Sequence, residues 1–193
     1  MFTKDFPRKA RNVTSGLIAG TLIESASGWM PVENLRIGDL VQSYDGGLAR
    51  VVGLDRDWIA PAVGAFVLRL PGGALDNCSD LLLLPGQNLL VDTLNDEDLP
   101  DDIVALIPAE SLEGVLGTTR ARIVKPIEVI TPRFANDEAI FANSGTLLHC
   151  PGIRQNELQP ASDFFTVLDQ SQARRFLHRA YGVPAQPHLL RAA

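Results

Sequence analysis

The 193-residue chain is 46% hydrophobic and 21% charged, enough for one well-packed domain plus an appendage. Its 23 acidic residues outnumber 17 basic ones, giving a net charge of −6, which opposes binding to nucleic acid or an anionic membrane because both recruit Lys/Arg clusters. Three histidines supply a zinc site poorly and the two cysteines form no CxxC pair, so no metal and no cofactor is expected.

The opening "MFTKDFPRKARNVTSG" is basic and short, without the apolar run of a secretory signal. Residues 1–14 read as a flexible leader. No later segment approaches the ~18 consecutive apolar residues of a membrane span. The greasiest run, "DLLLLPGQNLLVD", is interrupted by Pro85, Gly86, Gln87 and Asn88. A cytoplasmic protein is expected, with export lacking an N-terminal signal left open.

From the leader to about Pro151 the chain reads as β structure. "GTLIES", "DLVQSY", "ARVVGLDR", "AFVLRL", "NLLVD", "ARIVKPIEVI" and "EAIFANS" are short strand candidates punctuated by "ASG", "YDGG", "LPGG" and "LPGQN". That pattern predicts an all-β body. "LIPAESLEG" is a candidate short helix, with Pro108 at its first turn and Gly114 at its end. The acidic run "DTLNDEDLPDD" reads as a solvated loop, because Asp92, Asp96, Asp98, Asp101 and Asp102 lack the spacing of a calcium loop. Cys78 and Cys150 are expected as buried free thiols, a disulfide staying open. His149 and Cys150 are neighbours, and on a strand they point to opposite faces.

The period changes in the tail. In "DQSQARRFLHRAYGVP", Ala173, Phe176, Leu177, Ala180 and Tyr181 follow one helix face. Asp169 or Ser171 can cap the start, Gly182 suits the position after the last turn, and Pro184 prevents continuation. The stripe predicts a helix docked on the β body. Arg174, Arg175 and Arg179 fall off it and are candidates for a partner surface. The resulting division is a leader over 1–14, a β domain over 15–152 and a helical extension over 153–193.

Within "GTLIESASGWMPVENLRIGDLV", Gly20-Thr21 opens a strand, "SASG" makes a hairpin, and Pro-Val-Glu-x-Leu-x-x-Gly-Asp-x-Val returns as turn and strand. This block resembles the first block of Hint domains, the hedgehog/intein family, especially the bacterial type. "DLLLLPGQNLLVD", "ALIPAESLEGV" and "IEVITPRFANDEAIFANSGTLL" resemble later family segments in the right order, so the likeness spans roughly residues 15 to 152. It implies a horseshoe-shaped β fold whose two ends meet at one site. Active members use a Cys or Ser to attack the preceding carbonyl while a histidine protonates the leaving nitrogen.

Carried over by position, the nucleophile falls on Gly16, the second-block histidine on Asn88 and the later histidine on Asp137, which Glu138 follows. Glycine cannot attack, and the asparagine amide supplies no proton near neutral pH. The resemblance therefore implies a catalytically silent Hint fold acting in protein–protein interaction or as a structural part of an assembly. Two alternatives stay open. Ser15 could attack the Thr14 carbonyl and release the leader, or the former cleft could bind a small molecule or peptide through Thr21, Asn88, Asp137 and Glu138.

Overall fold

The computed structural model describes residues 13–45, 47–93, 103–153, 162 and 164–182. Most of the leader and most of the acidic run, from residue 94 to 102, lie outside the described residues.

The described chain is mostly β, with strands β1 Leu17–Ile18, β2 Leu22–Ser25, β3 Gly28–Pro31, β4 Leu40–Gln42, β5 Leu48–Arg50, β6 Gly53–Ile59, β7 Phe66–Leu70, β8 Leu81–Leu83, β9 Asn88–Asp92, β10 Val104–Pro108, β11 Thr119–Arg122, β12 Ile127–Arg133, β13 Glu138–Ala142, β14 Thr146–Cys150 and β15 Thr166–Val167. One α-helix, α1, follows over Gln170–Tyr181. The strands form a six-stranded sheet in the order β11-β7-β8-β1-β12-β6 and a second sheet in the order β15-β10-β9-β14-β13-β2-β4-β5, with β3 on β2.

Alternation along the strands sorts the apolar side chains into layers. Leu17 of β1, Leu68 of β7, Leu89 of β9, Ile140 of β13 and Leu148 of β14 share the main core, which takes residues from both sheets. Their strand neighbours Ile18 and Val67 join a smaller cluster on the far face of the first sheet. Leu90 and Ala139 join a third on the far face of the second, closed by Phe165.

The motif of the first block is explained by local hydrogen bonding. Gly20, at φ +95°, donates its N–H to the Glu33 carboxylate at 2.8 Å. Asp39 accepts the Arg36 N–H at 2.8 Å, and Gly38 takes φ +98° in the turn between them. "ARVVGLDR" is two strands, because Val51 bonds back to Asp39 while Val52 bonds across to Arg133. "ARIVKPIEVI" likewise divides into β11 and β12. The candidate helix near Pro108 is a single 3-10 turn over Ala109–Leu112.

The C-terminal segment is built into the core. β15 pairs in parallel with β10, and Leu168, Ala173, Phe176 and Leu177 are buried in the main core. Asp169 caps α1 in a reciprocal capping box with Gln172. Two expectations are corrected here: Ala180 and Tyr181 are exposed, so the buried stripe is narrower, and Gly182 has φ −59° and is not left-handed. Among the described residues, no helix is long and apolar enough to cross a membrane.

Candidate functional site

Gly16 sits where two pieces of chain close on each other. β1 starts one residue later, held between β8 and β12, with Leu17 opposite both Leu83 and Ile130. Gly16 itself has φ +121°, and a Cβ there would lie 2.6 Å from Val129 Cγ1 and 2.7 Å from Thr131 Oγ1. The opposing wall is the β8–β9 turn, closed by the Gln87 N–H donating to the Leu84 carbonyl at 3.0 Å. Gly86 in that turn donates its N–H to the Thr14 carbonyl at 2.9 Å, an approach that leaves no room for a side chain.

Gln87 joins the pieces. Its Oε1 accepts the Gly16 N–H at 2.9 Å, and its Nε2 donates to the Asn88 and His149 carbonyls, both at 2.9 Å. The side chain is only 2% exposed, so these bonds are made away from water. Around it lies a cleft of about 180 Å³ lined by Ser15, Gly16, Asn88, Thr131, His149 and Cys150 among others.

His149 and Cys150 end β14 with side chains on opposite faces, so they do not converge on one metal position. Cys150 belongs to the main core, and its burial pushes the thiol far above the usual range, which suppresses the thiolate needed for attack. The His149 ring meets Phe165 edge-on at 6.4 Å, and its Nε2 lies 3.7 Å from Asp137 Oδ2. Asp137 Oδ1 accepts the Gly152 N–H at 2.8 Å. Both cysteines are free; Cys150 is buried as expected, whereas Cys78 is exposed.

A family model described as Hint domain matches residues 15–150, most of the chain. The chain belongs to the Hint domain family. Among solved structures, this Hint domain is similar to a bacterial intein-like domain from Clostridium thermocellum, at 13% identity and a TM-score of 0.48 over 71% of this chain and 99% of that one. It is also similar to a splice-inactive variant of the AceL NrdHF class 3 split intein, at 11% identity and a TM-score of 0.50 over 74% of this chain and all of that one. The second likeness shows the fold alone. Comparison with curated proteins finds no match.

Within this Hint domain the structure gathers Ser15, Gly16 and Asn88 around one cleft. Thr21 lies elsewhere, lining a separate hollow with Asp80 and Asn143. Asp137 is set behind His149, and Glu138 stands opposite Cys150 in the β13–β14 pair; neither lines the cleft. Arg174, Arg175 and Arg179 are exposed on α1. Sequence reasoning passed over Gln87, which makes the hydrogen bonds to Gly16 and β14. The tight "LPGQ" turn was its available signal, since such a turn aims its last residue back across the gap.

Glu138 carries a titration that can be measured. Partial burial raises its carboxyl above the usual glutamate range, with Asp45 and Asp137 adding to the shift and a Ser43 hydrogen bond opposing it. A raised folded-state pKa means that the folded protein holds the proton more tightly than the unfolded chain, so this contribution to stability falls as pH rises through the raised value. Glu138→Gln is therefore expected to raise the urea midpoint slightly at pH 7, with unchanged m. The gain should shrink as the pH is lowered into the ordinary glutamate range.

Proposed function

We propose that this Hint domain is catalytically silent and serves as a protein-interaction module or structural part of an assembly. The observation that carries the reading is Gly16. No side chain is available there to attack a carbonyl, and the packing of Val129 and Thr131 leaves no space for one. The group on its amide is the carboxamide of Gln87, which has no proton to give near neutral pH. Residues 15–152 form the Hint unit in this reading, and the following segment is an extension seated on it. Burial of Phe165, Leu168, Phe176 and Leu177 supports that arrangement.

A second reading has one observation in its favour. Thr14 and Ser15 are exposed, Ser15 lines the cleft, and the Thr14 carbonyl is held by the Gly86 N–H at 2.9 Å. A donor on that carbonyl would stabilise the oxyanion formed if Ser15 attacked it.

Intact mass of the purified chain, before and after incubation with a strong thiol or hydroxylamine, separates the two. The silent reading expects the full 20.9 kDa throughout. Loss of residues 1–14 would overturn it, and Ser15→Ala would then abolish the loss.

A further inference from the structure

On the reading of this chain as an interaction module, we infer that the free edge of β11 takes an extended, acidic segment of a partner protein as a further strand of the first sheet. β11 ends that sheet, and among the described residues no strand pairs with its outer side.

The alternation of an antiparallel ladder shows which backbone groups lie open. The Ile123 N–H donates to the Ala65 carbonyl at 3.2 Å, in register with the pairs that run from Thr119↔Arg69 to Arg122↔Phe66. Counting back by twos from that bond, Ala121 and Thr119 turn their N–H and carbonyl groups to β7, and Arg122 and Arg120 turn theirs outward. Thr118 would open the same way, but its N–H donates to the Val115 carbonyl at 2.8 Å and its carbonyl accepts the Gly114 N–H at 3.0 Å. The open stretch is therefore the backbone of Arg120 and Arg122, in a strand without proline.

The side chains there select the partner. Arg120 and Arg122 share the face of Leu68 and Phe66, their partners in β7. Arg120 is already committed, pairing with the Glu113 carboxylate at 2.6 Å and lying over the Phe66 ring at 4.2 Å. Arg122 and Lys125 are exposed and have no ion-pair partner among the described residues, in a chain whose net charge is −6. On the opposite face, Ala121 packs with Val67 and Ile123 in the smaller apolar cluster.

A second copy of β11 does not fit this edge, because it would set arginine against arginine, and like charges placed opposite each other oppose pairing. A strand with carboxylates at alternate positions and a β-branched residue between them suits both faces. Its carboxylates lie on the Arg122 side, its apolar residue lies on the Ala121 side, and its backbone bonds to the open groups.

The test titrates the full-length, isotope-labelled chain with a blocked Val-Glu-Val-Glu-Val peptide. Val-Gln-Val-Gln-Val, which keeps the strand propensity and loses the charge, is the control. Amide hydrogen exchange reads the backbone: the Arg120 and Arg122 amides are expected to exchange fast in the free chain and to slow about tenfold with peptide at about ten times its Kd. Ala121, bonded to β7 throughout, should change less. The glutamine peptide should bind at least about fivefold more weakly, and Arg122→Gln should erase most of that difference.

Equal binding of the two peptides, binding that leaves exchange at Arg120 and Arg122 unchanged, shifts confined to other surfaces, or no binding at all would overturn the inference. In the last case the arginines serve only to keep the edges of two chains apart. Intact mass of the same sample keeps the two readings apart. A chain that has lost its leader refutes the silent reading whatever the edge does, whereas an intact chain without protection at β11 refutes the edge proposal alone.

Discussion

Gln87→Leu is expected to lower stability by about 2–6 kcal/mol, read as a fall in the urea midpoint at constant m. Leucine keeps most of the volume and removes both polar atoms. The Gly16 N–H then faces apolar surface, and the His149 carbonyl loses its donor, in a position where Gln87 itself is 2% exposed. Each buried group left unsatisfied costs about 1–3 kcal/mol. The neighbouring substitution is the control. Asn88→Ala, at a half-buried position in the same cleft, should stay within about 1 kcal/mol of the parent. If the two changes cost the same, Gln87 is not the tie between the strands.

That pair also shows where a sequence reading stops. The first block was legible because its physics is local: Gly20 reaches Glu33 thirteen residues on, and Gly38 and Asp39 form one turn. The helix start was equally legible, since Asp169 and Gln172 cap each other within four residues. Which of Gln87 and Asn88 reaches Gly16 depends on a bond spanning 71 positions and on the direction imposed by a tight turn. Neither quantity has a periodic signature.

The same holds for the candidate cleft residues. Thr21, Asp137 and Glu138 were grouped with Asn88 by position in a pattern; Thr21 lines a different hollow, while Asp137 and Glu138 stand beside the cleft residues His149 and Cys150 without lining the cleft themselves. The burial of Phe165 and Leu168 was not legible either, because the segment before α1 has no repeat to mark it as a strand partner of β10. The helix period showed a docked face, yet not that Ala180 and Tyr181 would end exposed.

Gly16→Cys is expected to destabilise the protein by about 2–6 kcal/mol and to leave it uncleaved. Two costs combine. A non-glycine residue at φ +121° costs of order 1–3 kcal/mol, and overpacking a filled site costs about 1–3 kcal/mol more. The second cost has a named source, since the new Cβ would stand 2.7 Å from Thr131 Oγ1 and 2.6 Å from Val129 Cγ1. Thr131→Ala in the Gly16→Cys background should therefore recover part of the loss, whereas Thr131→Ala alone should recover nothing. Adding Gln87→His to supply a titratable group should remain unproductive, because an imidazole cannot reproduce all three bonds of the carboxamide and the strands around Gly16 would loosen. The readouts are urea unfolding and intact mass after thiol treatment. A Gly16→Cys chain that unfolds within about 1 kcal/mol of the parent and releases its leader would mean that the packing around residue 16 yields easily. On the silent reading proposed above, the absent side chain at residue 16 would then be the one barrier to chemistry.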